Sequence, residues 1–267
     1  MITKKEILRW AKERKACKQG IEWYEERPQN ALLTWGAIEK GYFRWAALNI
    51  PEALPYLQTL PEELKERSLI NSWPAIRANM ALIGYKLEQL KDDPEWKVRK
   101  AVAWKGYALE QLKDDPDEDV RREVAYQGYA LEQLKDDPSV WVREAVADQG
   151  YALEQLKDDP HEYVRKAVAH QGYALEQLKD DPIWEIRQEV AEKGYALEKL
   201  KDDPEYHIRI AVAMQGYALE QLKDDPDWCV RWEVAKQGYA LEQLKDDPNV
   251  WVRKAAREKL EDMNNDN

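Results

Sequence analysis

A chain of 267 residues with 44% apolar content can bury one large core or two ordinary ones. No run approaches the roughly 18 apolar residues of a membrane span, and the charged start MITKKEILRWAKERK has no apolar segment of the secretory kind. A formal net charge of −11 disfavours nucleic acid and anionic membrane as partners, and Cys17 and Cys229 form no CxxC or disulfide framework, which points to a reducing, cytoplasmic setting.

Taken in chain order, residues 1–70 are not repetitive and read as about four helices, broken near Gly20, Pro28, Gly41 and the Pro51/Pro55/Pro61 cluster. The expectation for this region is a helical N-terminal cap. Residues 71–83 read as a degenerate repeat, with Ile76-Arg77 and Met80-Ala81 in slots that the later sequence defines. From Gly84 a 22-residue period takes over, marked by Gly84, Gly106, Gly128, Gly150, Gly172, Gly194, Gly216 and Gly238. Eight copies of GYALEQLKDDP-xxx-VR-xx-VA-xx fill residues 84–259, and 260–267 form a polar tail.

Each repeat predicts two short helices. In the second copy the first helix is YALEQLK, with Leu109 and Leu112 on one face. The second is expected to begin at Asp-Asp-Pro, with Asp115 as N-cap and Pro116 in the first turn, and to carry Val120 and Val124 on a single stripe. The next Gly suits a left-handed C-cap. Helices this short are marginal alone, so each has to bury its stripe against neighbours. The predicted fold is therefore all-α, an α-solenoid of eight two-helix repeats with a helical N-terminal cap region. At the far end Ala256 and Arg257 replace the Val-Ala pair, as a water-facing terminal repeat requires.

The D-P-x-x-x-V-R-x-x-V-A core over residues 84 to about 257 resembles the leucine-rich variant repeat and, more loosely, HEAT-type repeats. The resemblance implies an architecture and no activity. The repeat is shorter than in either family, and the cysteines of an iron–sulfur centre are absent, so no cofactor is carried over. The ACKQGIEWYEE and TWGAIEKGYFRWAAL stretches loosely resemble helical modules of bacterial and phage proteins.

Function is sought where near-copies disagree. Positions 13, 14, 17 and 21 of the repeat fall between about 160° and 260° around the second helix when the first Val is set at 0°. They share one face, opposite the valines. All seven Trp of the repeats lie there, and ten of the 32 slots are Trp or Tyr. Neutral drift would vary the exposed first-helix positions equally, yet Glu at position 5 and Lys at position 8 are the same in all eight copies. Variation confined to an aromatic-rich face resembles a binding surface. The candidate partner-binding residues are Trp96, Lys100, Trp104, Arg122, Tyr126, Trp141, Glu144, Tyr163, His170, Trp184, Tyr206, His207, Ile210, Trp228, Trp232 and Trp251. Some rings, position 13 above all, could instead pack between neighbouring second helices.

No catalytic or metal site is expected. His161, His170 and His207 are too scattered to share an ion, the Asp-Asp pairs recur too often for a unique active site, and Cys229 is a surface thiol without a base. The second Asp serves as cap, and the first bonds the Arg of Val-Arg in its own or an adjacent repeat. The leading expectation is a non-catalytic solenoid binding a protein or peptide. The alternatives are an acidic decoy that inhibits a nucleic-acid-binding protein, using the Asp-Asp and Glu rows, and a HEAT-like nucleic-acid binder.

Overall fold

The computed structural model describes residues 62–70 and 74–265, with a few isolated positions before them. The described residues are all-α, and the chain divides into two compact units, Met1–Leu134 and Lys135–Asn267. Within each unit the repeats stack as two-helix layers, an α-solenoid. Most of the expected N-terminal cap, with Asn71, Ser72 and Trp73 of the degenerate repeat, lies outside the described residues.

The local chemistry of one repeat explains the layer. In residues 106–127 the short helix is Leu109–Leu112 and the long one Glu118–Tyr126. The preceding long helix, Trp96–Trp104, ends where Gly106 adopts a φ of +70°. Gly106 N–H donates to the Ala103 carbonyl and Tyr107 N–H to the Val102 carbonyl, the paired bonds of a Schellman ending. Two residues later Ala108 is also left-handed, at φ +54°, and no side chain caps the short helix it precedes. Alanine there carries a penalty of roughly 1–2 kcal/mol that glycine would not. The short helix is thus one turn, smaller than the YALEQLK span predicted.

The start of the long helix corrects the sequence reading. Asp115 is not its N-cap and Pro116 is not in it; the cap is Asp117, whose carboxylate accepts Asp119 N–H. Asp115 is held by a bidentate grip instead. Arg99 Nε donates to its Oδ2 at 2.6 Å and Arg99 Nη2 to its Oδ1 at 2.8 Å, while Asp117 N–H also donates to Oδ1. The third Arg99 donor, Nη1, reaches the Asp93 and Pro94 carbonyls. One arginine therefore closes the loop of its own repeat and clamps the loop of the next. The first Asp, expected to bond that arginine, does not: Asp92 accepts from Gln111 of the following repeat.

The same grip recurs at Arg77–Asp93 in the first unit, and at Arg143–Asp159, Arg165–Asp181, Arg187–Asp203, Arg209–Asp225 and Arg231–Asp247 in the second. The aspartates are buried and the arginines mostly so, which makes these charge-assisted bonds costly to break singly. The guanidinium of Arg165 is raised above its ordinary pKa, chiefly by the bond to Asp181.

Under the ladder runs the core. The second Leu of the short helix and the Val, Val and Ala of the long helix are sealed, as at Leu178, Val164, Val168 and Ala169. Each buried Val or Leu contributes roughly 1.5–3 kcal/mol. Pro74–Leu82 buries Ile76, Met80 and Ala81 in the corresponding way, and Glu62–Leu69 supplies Glu62 and Glu66 as acceptors for the Tyr85 hydroxyl. At the C-terminal end Ala256 is sealed and Arg257 exposed. Where a ninth repeat would open on Gly stands Leu260, so no left-handed residue stops the helix. It runs on through the polar tail, Val250–Asn265.

Candidate functional site

The long helices turn their variable positions outward, and none of the sixteen candidate residues falls in the buried class. Trp104, Tyr126, Trp141, Tyr163, Trp228 and Trp251 are exposed, from 38% to 56%, and His170 is exposed as well. Lys100, Arg122, Glu144, His207 and Ile210 are half-buried, as are Trp96, Trp184, Tyr206 and Trp232. Three of those last four rings stand at position 13, where Trp184 packs against His207 of the next long helix, whereas Trp228 at the same position is exposed.

In the first unit the face is mixed in charge. Lys97 Nζ lies 5.3 Å from the Trp96 ring centre and Lys105 Nζ 5.6 Å from that of Trp104. Asp119 pairs with Arg122 and lies 3.6 Å from Lys100 of the preceding repeat.

In the second unit neighbouring repeats bring rings together. Trp141 and Tyr163 stack with centroids 5.3 Å apart and planes at 26°. Trp184 and His207 stack at 4.7 Å and 21°, and Tyr206 lies 3.9 Å from His207. Buried His207 Nδ1 has no hydrogen-bond partner. Lys236 Nζ sits 4.4 Å from the Trp232 ring centre. Between the helices Val140–Asp148, Glu162–His170 and Trp184–Glu192 the face opens into a groove of about 530 Å³.

Two features of this face escaped the sequence reading. Position 18 is Ala in five repeats and Glu in three, and its glutamates are buried: Glu123, Glu189 and, at 3% exposure, Glu233. Each has internal partners. Glu123 accepts from Gln127, Glu189 bonds His170 Nδ1 at 2.8 Å, and Glu233 binds Lys236 and Gln237. The Ala/Glu choice was visible in the aligned repeats and marks a position where the packed side meets the outward one. Position 12 is also partly a capping choice, because Asp117, His161, Asp227 and Asn249 each accept a backbone N–H two residues on.

The constancy of the first helix has a structural cause as well. Tyr129 donates to Glu110 of the preceding repeat at 2.8 Å, Lys113 donates to the same carboxylate, and Gln133 donates to Asp114. Lys113 and then Tyr129 hold Glu110 below the usual carboxylate range, and Glu110 in turn raises the Tyr129 phenol. Positions 5, 6 and 8 are thus contact positions, the first two exposed and the lysine half-buried, and none is free to drift. The invariance of positions 5 and 8 is therefore no measure of drift, and the contrast with the variable face loses that support. What remains is the face itself: exposed rings, of which Trp141 and Tyr163 stack across repeats.

Cys229 is half-buried with its thiol pKa pushed up by desolvation and by Asp227, the opposite of an activated nucleophile. Among the described residues no cluster of His, Cys, Asp or Glu is placed to hold a metal ion, and no helix is long and apolar enough to cross a membrane.

No protein family and no curated protein matches the chain. Among solved structures it is similar to a chain described as "computationally designed armadillo repeat proteins for modular peptide recognition", at 20% identity over 86% of this chain and 96% of that one. The TM-score is 0.16. At that score the likeness carries no argument.

Proposed function

We propose that the chain is a non-catalytic binding solenoid that captures a protein or peptide through the variable face of its long helices, the architecture being of the short HEAT-like or leucine-rich-variant kind. The supporting observation is the set of exposed aromatic rings contributed by successive repeats, above all the Trp141–Tyr163 stack. Exposed rings side by side, as at Trp141 and Tyr163, invite association, and Trp and Tyr offer large contact area with few torsions to freeze. The mixed charges around them, such as Lys100, Arg122 and Glu144, would set specificity rather than affinity.

The decoy reading needs rows of free carboxylates. The second Asp is gripped by arginine in seven of the eight pairs, and position-5 glutamates such as Glu110 are held by Lys and Tyr, so much of those rows is engaged inside the fold. Selection from a random peptide display library on the intact chain tests the binding reading. Enriched peptides should lose about tenfold or more in affinity for a Trp141→Ala/Tyr163→Ala variant whose melting curve matches the parent. Equal affinity for the variant, or loss of its fold, would refute the reading.

A further inference from the structure

The groove in the second unit has a chemistry of its own. Its rim carries Glu144, Asp148, Glu162, Glu185 and Glu189, against one lysine, Lys166, and His170. Its floor and wall are apolar and aromatic: Ala167, Ile183 and Ile186 below, and Tyr163, already stacked on Trp141, to one side. Glu189 is engaged with His170 and Lys193, Glu162 lies 3.7 Å from His161, and Glu144 and Asp148 have partners of their own, but Glu185 has no hydrogen-bond or ion-pair partner among the described residues. The groove is open to solvent on one side and measures about 530 Å³.

These three properties select one kind of occupant. A carboxylate rim around a ring and an aliphatic floor fits a side chain that is cationic at its tip and aliphatic along its stem. Lysine and arginine are built that way, burying methylenes while the charge stays at the wet edge. Arginine suits it better, because a planar guanidinium can stack on Tyr163 and bond carboxylates two at a time. An anionic segment would meet carboxylates of its own sign, and a purely apolar one would leave Glu185 without a partner. The chain's net charge of −11 adds long-range attraction of the same sign.

We infer that this groove receives an arginine-containing, basic segment of the partner. The inference rests on the binding reading above and deepens it, fixing the partner's chemistry at one place on the face. The probe is a fluorescein-labelled peptide alternating arginine with serine, titrated by anisotropy against the full chain, beside the same peptide with citrulline for arginine. Citrulline keeps the shape and removes the charge. The arginine peptide is expected to bind about tenfold tighter than the citrulline one and to weaken as salt is raised.

Glu144→Gln/Glu185→Gln should weaken it about tenfold, whereas Glu118→Gln/Glu258→Gln, which removes the same charge elsewhere, should change it less than about twofold. Should the first pair lower the melting temperature, Glu185→Gln alone carries the test, since that side chain holds nothing in the fold. No binding of the arginine peptide, equal binding of the citrulline peptide, or equal losses from the two variant pairs would each overturn the inference. None of these results touches the binding reading, which stands or falls on the display selection and the Trp141/Tyr163 variant.

Discussion

Removing one partner from an arginine–aspartate grip gives a direct measure of what joins consecutive repeats. Consider Asp181→Ala. Arg165 Nε and Nη2 lose acceptors at 2.8 and 3.1 Å, and Ile183 N–H loses one at 2.9 Å. The carboxylate side chain is only 5% exposed and the arginine 15%, so water replaces little of this. Breaking a buried pair costs about 3–5 kcal/mol, and Arg165 keeps its Asp159 and Pro160 carbonyls, which places the loss at the lower end, about 3 kcal/mol. Arg165→Ala should cost a similar amount by stranding Asp181. The double variant strands neither charge and should cost about 4 kcal/mol, a coupling of about 2 kcal/mol. Urea unfolding followed by far-ultraviolet circular dichroism on the four proteins measures it. A coupling below about 0.5 kcal/mol would mean that the grip is decoration and that valine packing alone joins the layers.

Three further outcomes follow from particular residues. Gly172→Ala should destabilise by about 1 kcal/mol, since φ is +74° and an added Cβ meets nothing within 4 Å, leaving backbone strain as the cost; Ala174→Gly, at φ +52°, should be neutral or stabilising by thermal melt. Burial raises the Asp247 carboxyl, but the Arg231 bond, the Asn249 N–H and the charges of Arg231 and Arg253 outweigh it and leave the group below its ordinary 3.8. Its stabilisation is therefore complete above that value and lost as pH falls through the folded pKa, and Asp247→Asn should flatten the acid limb of a melting-temperature profile. The Tyr217 phenol is raised above 10, first by its bond to Glu198 and then by desolvation, so its contribution is complete below pH 10 and lost as pH rises through the folded value. An ultraviolet titration should show ionisation moving toward pH 10 in Glu198→Gln.

The sequence carried the architecture because periodicity and packing speak the same language. Val164 and Val168 recur four apart and prove sealed, and Gly172 marks a left-handed ending. It misled at Asp-Asp-Pro, because an aspartate before a proline looks like a cap whether or not an arginine from the previous repeat claims it. Nothing local to Asp115 announces Arg99, sixteen residues back; only a three-dimensional stack brings them together. Ala108 was invisible for another reason, since alanine gives no hint of a left-handed backbone that glycine would have advertised. On the candidate face, the outward direction of Trp104 and Trp251 was legible from the helical wheel, whereas the groove was not. It depends on which small and large side chains meet at Ala167, Ile183 and Ile186, and on glutamates at position 18 that read as ordinary surface charges.

The cross-repeat bonds have a direction. Within each unit the clamping arginines reach forward by one repeat, and the tyrosine and the glutamine of the short-helix segment reach back by one, as at Arg165, Tyr173 and Gln177. A gene encoding such a chain could gain or lose whole cassettes by unequal recombination, and every surviving joint would find its usual mate. The outward residues would travel with their cassette, so a lineage could reshuffle a recognition face in blocks while leaving the joinery untouched.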